Sequence, residues 1–176
     1  LAIIVFSRTG HEGSDMTVNK DGTHELQPTA NELALLNHVC EQAKNGVFKK
    51  VHFLLNVGNV VEIGDYVDNP EIDAILYAGM GGSVGMKAVP RILTGEVNPS
   101  GRTVDVWPAD FTKDPTWYNV LTNTHSGGST VNIGTGPDGT SLPASVRSLD
   151  YEEGIYVGYK GYETASTIEG DFDAEV

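Results

Sequence analysis

The nine residues Ser7 to Asp15, SRTGHEGSD, set one Arg, one His, one Glu and one Asp around two glycines. A carboxyl in such company can pass a proton to a reacting group, which makes Glu12 the candidate catalytic residue. The run before it, Ala2 to Phe6, is unbroken apolar and rich in β-branched side chains. It predicts a strand covered on both faces, as in a parallel sheet. Sites in open α/β sheets collect at the carboxyl ends of strands, where this loop begins. The same composition also suits a plain solvated connector, and the stretch alone does not separate the two readings.

A second glycine-rich turn runs from Gly79 to Gly85, GMGGSVG, between a strand pattern and a helix pattern. Phosphate cradles occur at such places. Val84 stands where a dinucleotide fingerprint needs Gly, and Met86-Lys87 follows Gly85 where a P-loop needs Lys-Ser/Thr. Close packing of a helix on a sheet accounts for the glycines without any ligand and is the preferred reading. The five histidines, 11, 24, 38, 52 and 125, show no metal spacing. Asp65, Asp68, Glu71 and Asp73 do not have calcium-loop spacing and suit a solvated face. No G-x-S-x-G elbow is present. The single cysteine, Cys40, falls on an apolar helix stripe and reads as a buried, inert thiol. Aromatic residues crowd the second half, where they suit core packing or stacking on sugar rings.

Elements to position these groups follow from periodicity. Thr29 and Glu32 have capping-box spacing, and Leu33, Leu36, Val39, Cys40 and Ala43 continue a helical stripe to Asn45-Gly46. Residues 51–57, VHFLLNV, and 73–78, DAILYA, read as strands. A short helix or turn is expected over 60–67. A further helix carries Met86, Val89, Ile92 and Leu93, with Pro90 expected to kink or shorten it. Residues 102–107, RTVDVW, alternate like a strand near an edge, and 155–159, IYVGY, read as a last strand. The stretch from Pro108 to Leu149 has little periodicity and reads as a long loop. The β-α-β-α order predicts an α/β fold, a three-layer sandwich with a mostly parallel sheet plus one antiparallel edge strand.

The 176 residues suffice for one domain with its own core, and 39% hydrophobic and 20% charged content suit a globular protein. A net charge of −13 argues against a nucleic-acid partner. No apolar stretch reaches membrane-spanning length. The chain opens on Leu1 directly inside a strand, which suggests a piece of a longer polypeptide, so the missing signal peptide carries little weight.

Four stretches, in order, resemble the second, α/β-sandwich domain of family 3 glycoside hydrolases, the β-glucosidase and β-xylosidase group. Residues 7–16, SRTGHEGSDM, resemble the family's strand-end loop, commonly R-x-x-G-E-G-x-D. Residues 54–82, LLNVGNVVEIGDYVDNPEIDAILYAGMGG, resemble its NVGNPVE…VDAIL segment. Residues 84–108 share its NPSGR word, and residues 151–164, YEEGIYVGYKGYET, its EGIYVGYR word.

The resemblance implies a retaining glycosidase of two domains, with an Asp nucleophile on a (β/α)₈ barrel. The acid/base would be Glu12, by its place in the loop motif, and Arg8, His11 and Asp15 would bind substrate beside it. It further implies a β-glycoside substrate, the barrel domain of the same chain as partner, and no cofactor. Residues 1–165 would form the sandwich domain and 166–176 an acidic tail. Without the barrel the fragment is expected to be inactive. Three departures stand out: His11 replaces the usual Gly before the Glu, Pro90 replaces a helix former, and Gly161 replaces an aromatic. The rival reading is a flavodoxin-like module holding a nucleotide or flavin at the Gly79 turn.

Overall fold

Ala2–Ser7 (β1) and Val51–Asn56 (β2) pair in parallel, with Ile4 opposite Phe53 and Phe6 opposite Leu55. Ala74–Tyr77 (β3) adds to the far side of β2, also in parallel, so the order is β1-β2-β3. These relationships come from a computed structural model, which describes residues 1–8, 23–117, 128–131, 146–149 and 153–169. The described residues fall into two compact units, one holding β1 and residues 23–109, the other residues 110–117, 128–131, 146–149 and 153–169.

In the first unit the crossover from β1 to β2 contains Ala30–Lys44 (α1). Its start is the expected capping box: Thr29 Oγ1 accepts from the Glu32 N–H at 3.3 Å, and the Glu32 carboxylate accepts from the Thr29 N–H at 2.7 Å. Such caps contribute about 0.5–2 kcal/mol. Leu36 is fully buried against Ile4, Phe6, Val51, Phe53 and Leu55, the alternate positions of one sheet face. The Phe6 and Phe53 rings meet edge to face with centroids 4.7 Å apart. Cys40 is buried on the same helix, and burial, with the Glu71 charge adding to it, pushes its thiol pKa up. The opposite sheet face is open at β1, where Ile3 and Val5 are 45% and 49% exposed. Coverage of β1 on both faces, expected from its apolar run, is therefore absent among the described residues.

Gly64–Val67 (α2) follows β2, and Gly82–Gly85 (α3) and Ala88–Leu93 (α4) follow β3. The expected helix over this last region is split at Met86-Lys87. Pro90 then falls in the first turn of α4, where a missing N–H costs nothing. The resulting parallel sheet with helices is the predicted α/β sandwich. An antiparallel edge strand is not among the described residues of this sheet. Residues 102–107 form no strand: Val104 is 95% exposed, and Trp107 instead packs on the core, edge to face with Tyr77. Alternation marked the one inward aromatic but supplied no partner strand.

In the second unit Gly128–Val131 (β4) and Val146–Leu149 (β5) pair antiparallel, inside the region read as loop. Tyr159–Glu169 (α5) replaces the expected last strand, since residues 153–155 form a turn and the helix begins at Tyr159. A Cβ on Gly161 would stand 2.8 Å from the Tyr156 carbonyl oxygen, so this first turn has no room for the aromatic common in relatives. Tyr162 is buried and its hydroxyl donates to Asp114 Oδ2 at 2.9 Å.

Candidate functional site

At the carboxyl edge of the sheet the ladder runs one residue beyond β1, because the Arg8 N–H still donates to the Asn56 carbonyl at 3.4 Å. The Arg8 side chain then turns toward the segment that returns into α1. Its Nε donates to Glu25 O and its Nη2 to Gln27 O, each at 3.1 Å. Its Nη1 donates to Ser7 O at 3.1 Å. The fork closes on Glu32, with Nη2 donating to Oε2 at 2.7 Å and Nη1 paired with Oε1. The guanidinium carbon also lies 5.8 Å from the Phe6 ring centroid. Partial burial raises the Glu32 pKa, but Arg8 and the Thr29 N–H and hydroxyl outweigh it, and the carboxyl sits below its usual value.

The returning segment is also tied to the loop after β2. The Glu62 N–H donates to Leu26 O at 2.9 Å. His24 Nε2 lies 3.3 Å from Glu62 Oε1, both side chains being buried. Beside them a cleft of about 250 Å³ is lined by Gln27, Leu33, Glu62, Asp65 and Tyr66, among others. The edge thus has polar walls with two acidic groups.

A family model described as the glycosyl hydrolase family 3 C-terminal domain matches residues 1–159. The chain belongs to this family. A beta-glucosidase of Ruminococcus albus is 32% identical over 93% of the chain, and the chain spans 14% of it. Thermostable beta-glucosidase B of Acetivibrio thermocellus is 29% identical over 82% of the chain, which spans 15% of it. An exo-alpha-(1->6)-L-arabinopyranosidase of Bifidobacterium longum is 26% identical over 79% of the chain, which spans 14% of it. No solved structure gives a significant match. The chain is therefore a small part of the length of these relatives.

Within this family 3 domain Arg8 is described, whereas His11, Glu12 and Asp15 lie outside the described residues. Glu32, His24 and Glu62 were not singled out as site residues from sequence. Glu32 was legible as a helix cap, but its pairing with Arg8 joins distant segments and leaves no local signal. At the glycine-rich turn, a Cβ on Gly81 would meet Met86 N at 2.9 Å and Met86 Sδ at 2.8 Å. That glycine makes room for the protein's own next turn. Of the other early candidates, Asp73 accepts from the Val51 N–H at 2.8 Å and pairs with Lys50. Among the described residues no group of three or more His, Cys, Asp or Glu is arranged for a metal ion. None of their helices is long and apolar enough to cross a membrane.

Proposed function

We propose that this domain supplies the acid/base carboxyl, Glu12, and part of the sugar pocket of a retaining β-glucosidase-like enzyme. What supports the reading is where β1 ends, at the carboxyl edge of a parallel sheet in a family 3 glycosyl hydrolase domain, five residues before Glu12; the motif that Ser7 to Asp15 resembles has its acid/base Glu at that position. His11 and Asp15, beside it in the motif, would contact the substrate.

The chemistry needs two carboxyl groups. Glu12, protonated, donates to the glycosidic oxygen while a carboxylate on a partner barrel domain attacks the anomeric carbon. In retaining enzymes the two lie roughly 5–5.5 Å apart. Glu12, now ionised, then takes a proton from water, and the resulting hydroxide equivalent releases the sugar. A carboxyl that must stay protonated near neutral pH needs a raised pKa, which burial against a second domain would provide. The partner is the barrel of the same polypeptide, the substrate is a terminal β-D-glycoside, and no cofactor enters. The domain alone, lacking the nucleophile, does not turn over glycosides.

Glu12→Gln in the full-length enzyme tests this. Turnover of substrates with poor leaving groups should collapse, and azide should partly restore turnover of activated ones. Unchanged kinetics would remove Glu12 from the chemistry.

A further inference from the structure

We infer that Arg8 and Glu32 are positioning residues for the acid/base carboxyl: they tie together the chain before and after residues 9–22, which include Glu12, and do not touch the sugar. The inference rests on the role proposed for Glu12.

The first argument is a count of donors. A guanidinium has five N–H groups and no acceptor. All five of Arg8 have acceptors within the domain: Ser7 O, Glu25 O, Gln27 O and the two Glu32 carboxylate oxygens. The side chain is 13% exposed, so it has neither a spare donor nor much surface for a sugar hydroxyl. The resemblance placed Arg8 among the substrate-binding residues; these bonds give it a different task.

The second argument is where the acceptors lie. Ser7 O lies in the chain before residues 9–22, which include Glu12, and Glu25 O and Gln27 O lie after them. One rigid planar group therefore holds the chain on the two sides of that segment together. Glu32 transmits that position to the fold. Its Oε2 also accepts from the Thr29 N–H and hydroxyl at 2.7 and 2.8 Å, in the first turn of α1. One turn further, Leu36 is fully buried in the core. The clamp is thus tied to the buried core of the unit.

Misplacing a catalytic group by about 1 Å can cost on the order of 10²-fold in rate, and general acid help is worth about 10²–10⁴-fold. Loosening the clamp should therefore take part of the acid's contribution and leave sugar binding intact.

The test uses the full-length enzyme with aryl glycosides whose leaving groups range from dinitrophenol to unactivated phenols. Glu32→Gln, which keeps shape, and Arg8→Lys, which keeps charge but not the fork, are compared with Glu12→Gln. Both clamp variants are expected to lose about 10- to 100-fold in kcat/KM on poor leaving groups and little on dinitrophenyl substrates. Azide should raise their turnover of activated substrates, as for Glu12→Gln. Adding Glu32→Gln to Glu12→Gln should cost nothing further.

A KM rise equal for all leaving groups would make Arg8 a sugar ligand and overturn the inference. A lower Tm with unchanged leaving-group dependence would make the clamp a fold staple and overturn it equally. If Arg8→Lys does not fold, Glu32→Gln decides by the same readouts. If Glu12→Gln itself leaves the dependence unchanged, the role of Glu12 fails and the inference falls with it. If only the clamp variants behave as wild type, the inference alone fails.

Discussion

His24 Nε2 stands 3.3 Å from Glu62 Oε1, with 1% and 10% of the two side chains exposed. The contact joins the segment entering α1 to the loop leaving β2, inside the protein and not on its surface. Polar groups buried at this depth are tolerated only with good partners. Glu62→Ala removes a carboxylate from beside a buried imidazole. It should lower stability by about 1–3 kcal/mol, read as a lower urea midpoint. A loss below about 0.5 kcal/mol would mean that the contact is not holding the two loops together.

The Arg8–Glu32 pair makes stability depend on pH. Glu32 has a folded-state pKa below its ordinary value, because its partners outweigh the effect of burial. A group shifted down contributes stability above its unfolded pKa and loses it as pH falls through the folded one. The Tm gap between wild type and Glu32→Gln should therefore be full at neutral pH and shrink below roughly pH 4. A gap that stays constant from pH 7 to pH 3 would contradict the ion pair.

The glycine-rich turn after β3 offers an internal control. Gly81→Ala drives a methyl against the Met86 backbone nitrogen, whereas a Cβ on Gly85 meets nothing within 4 Å. Gly81→Ala should destabilise by about 1–3 kcal/mol. Gly85→Ala, in a helical position without positive φ, should be neutral or slightly stabilising. Thermal unfolding of the two variants side by side checks the contrast. Equal effects would show that Gly81 is not needed for packing.

Elements with a complete local code were legible. Thr29 and Glu32 announced α1 because both halves of a capping box lie within one turn. Residues 51–56 announced β2 because a short apolar run has few other homes. Pro90 announced a shortened helix because it suits only a first turn, and α4 begins two residues before it. Residues 102–107 and 155–159 misled for one common reason: an alternating or apolar run describes a surface that a strand could use, and pairing needs a neighbour that the pattern does not contain. The ladder of β4 and β5 was invisible because its residues, GSTV and VRSL, carry no apolar period.

By itself, the order of residues determined the helix start, the three parallel strands and the family, since each rests on neighbours in the chain. The tertiary structure alone decided that Arg8 would meet Glu32 and that His24 would meet Glu62. Parallel pairing brings the ends of β1 and β2 to one edge, so groups far apart along the chain become partners there. Spacing cannot encode such a meeting, because the distance is set by strand register and by the packing of α1 on the sheet.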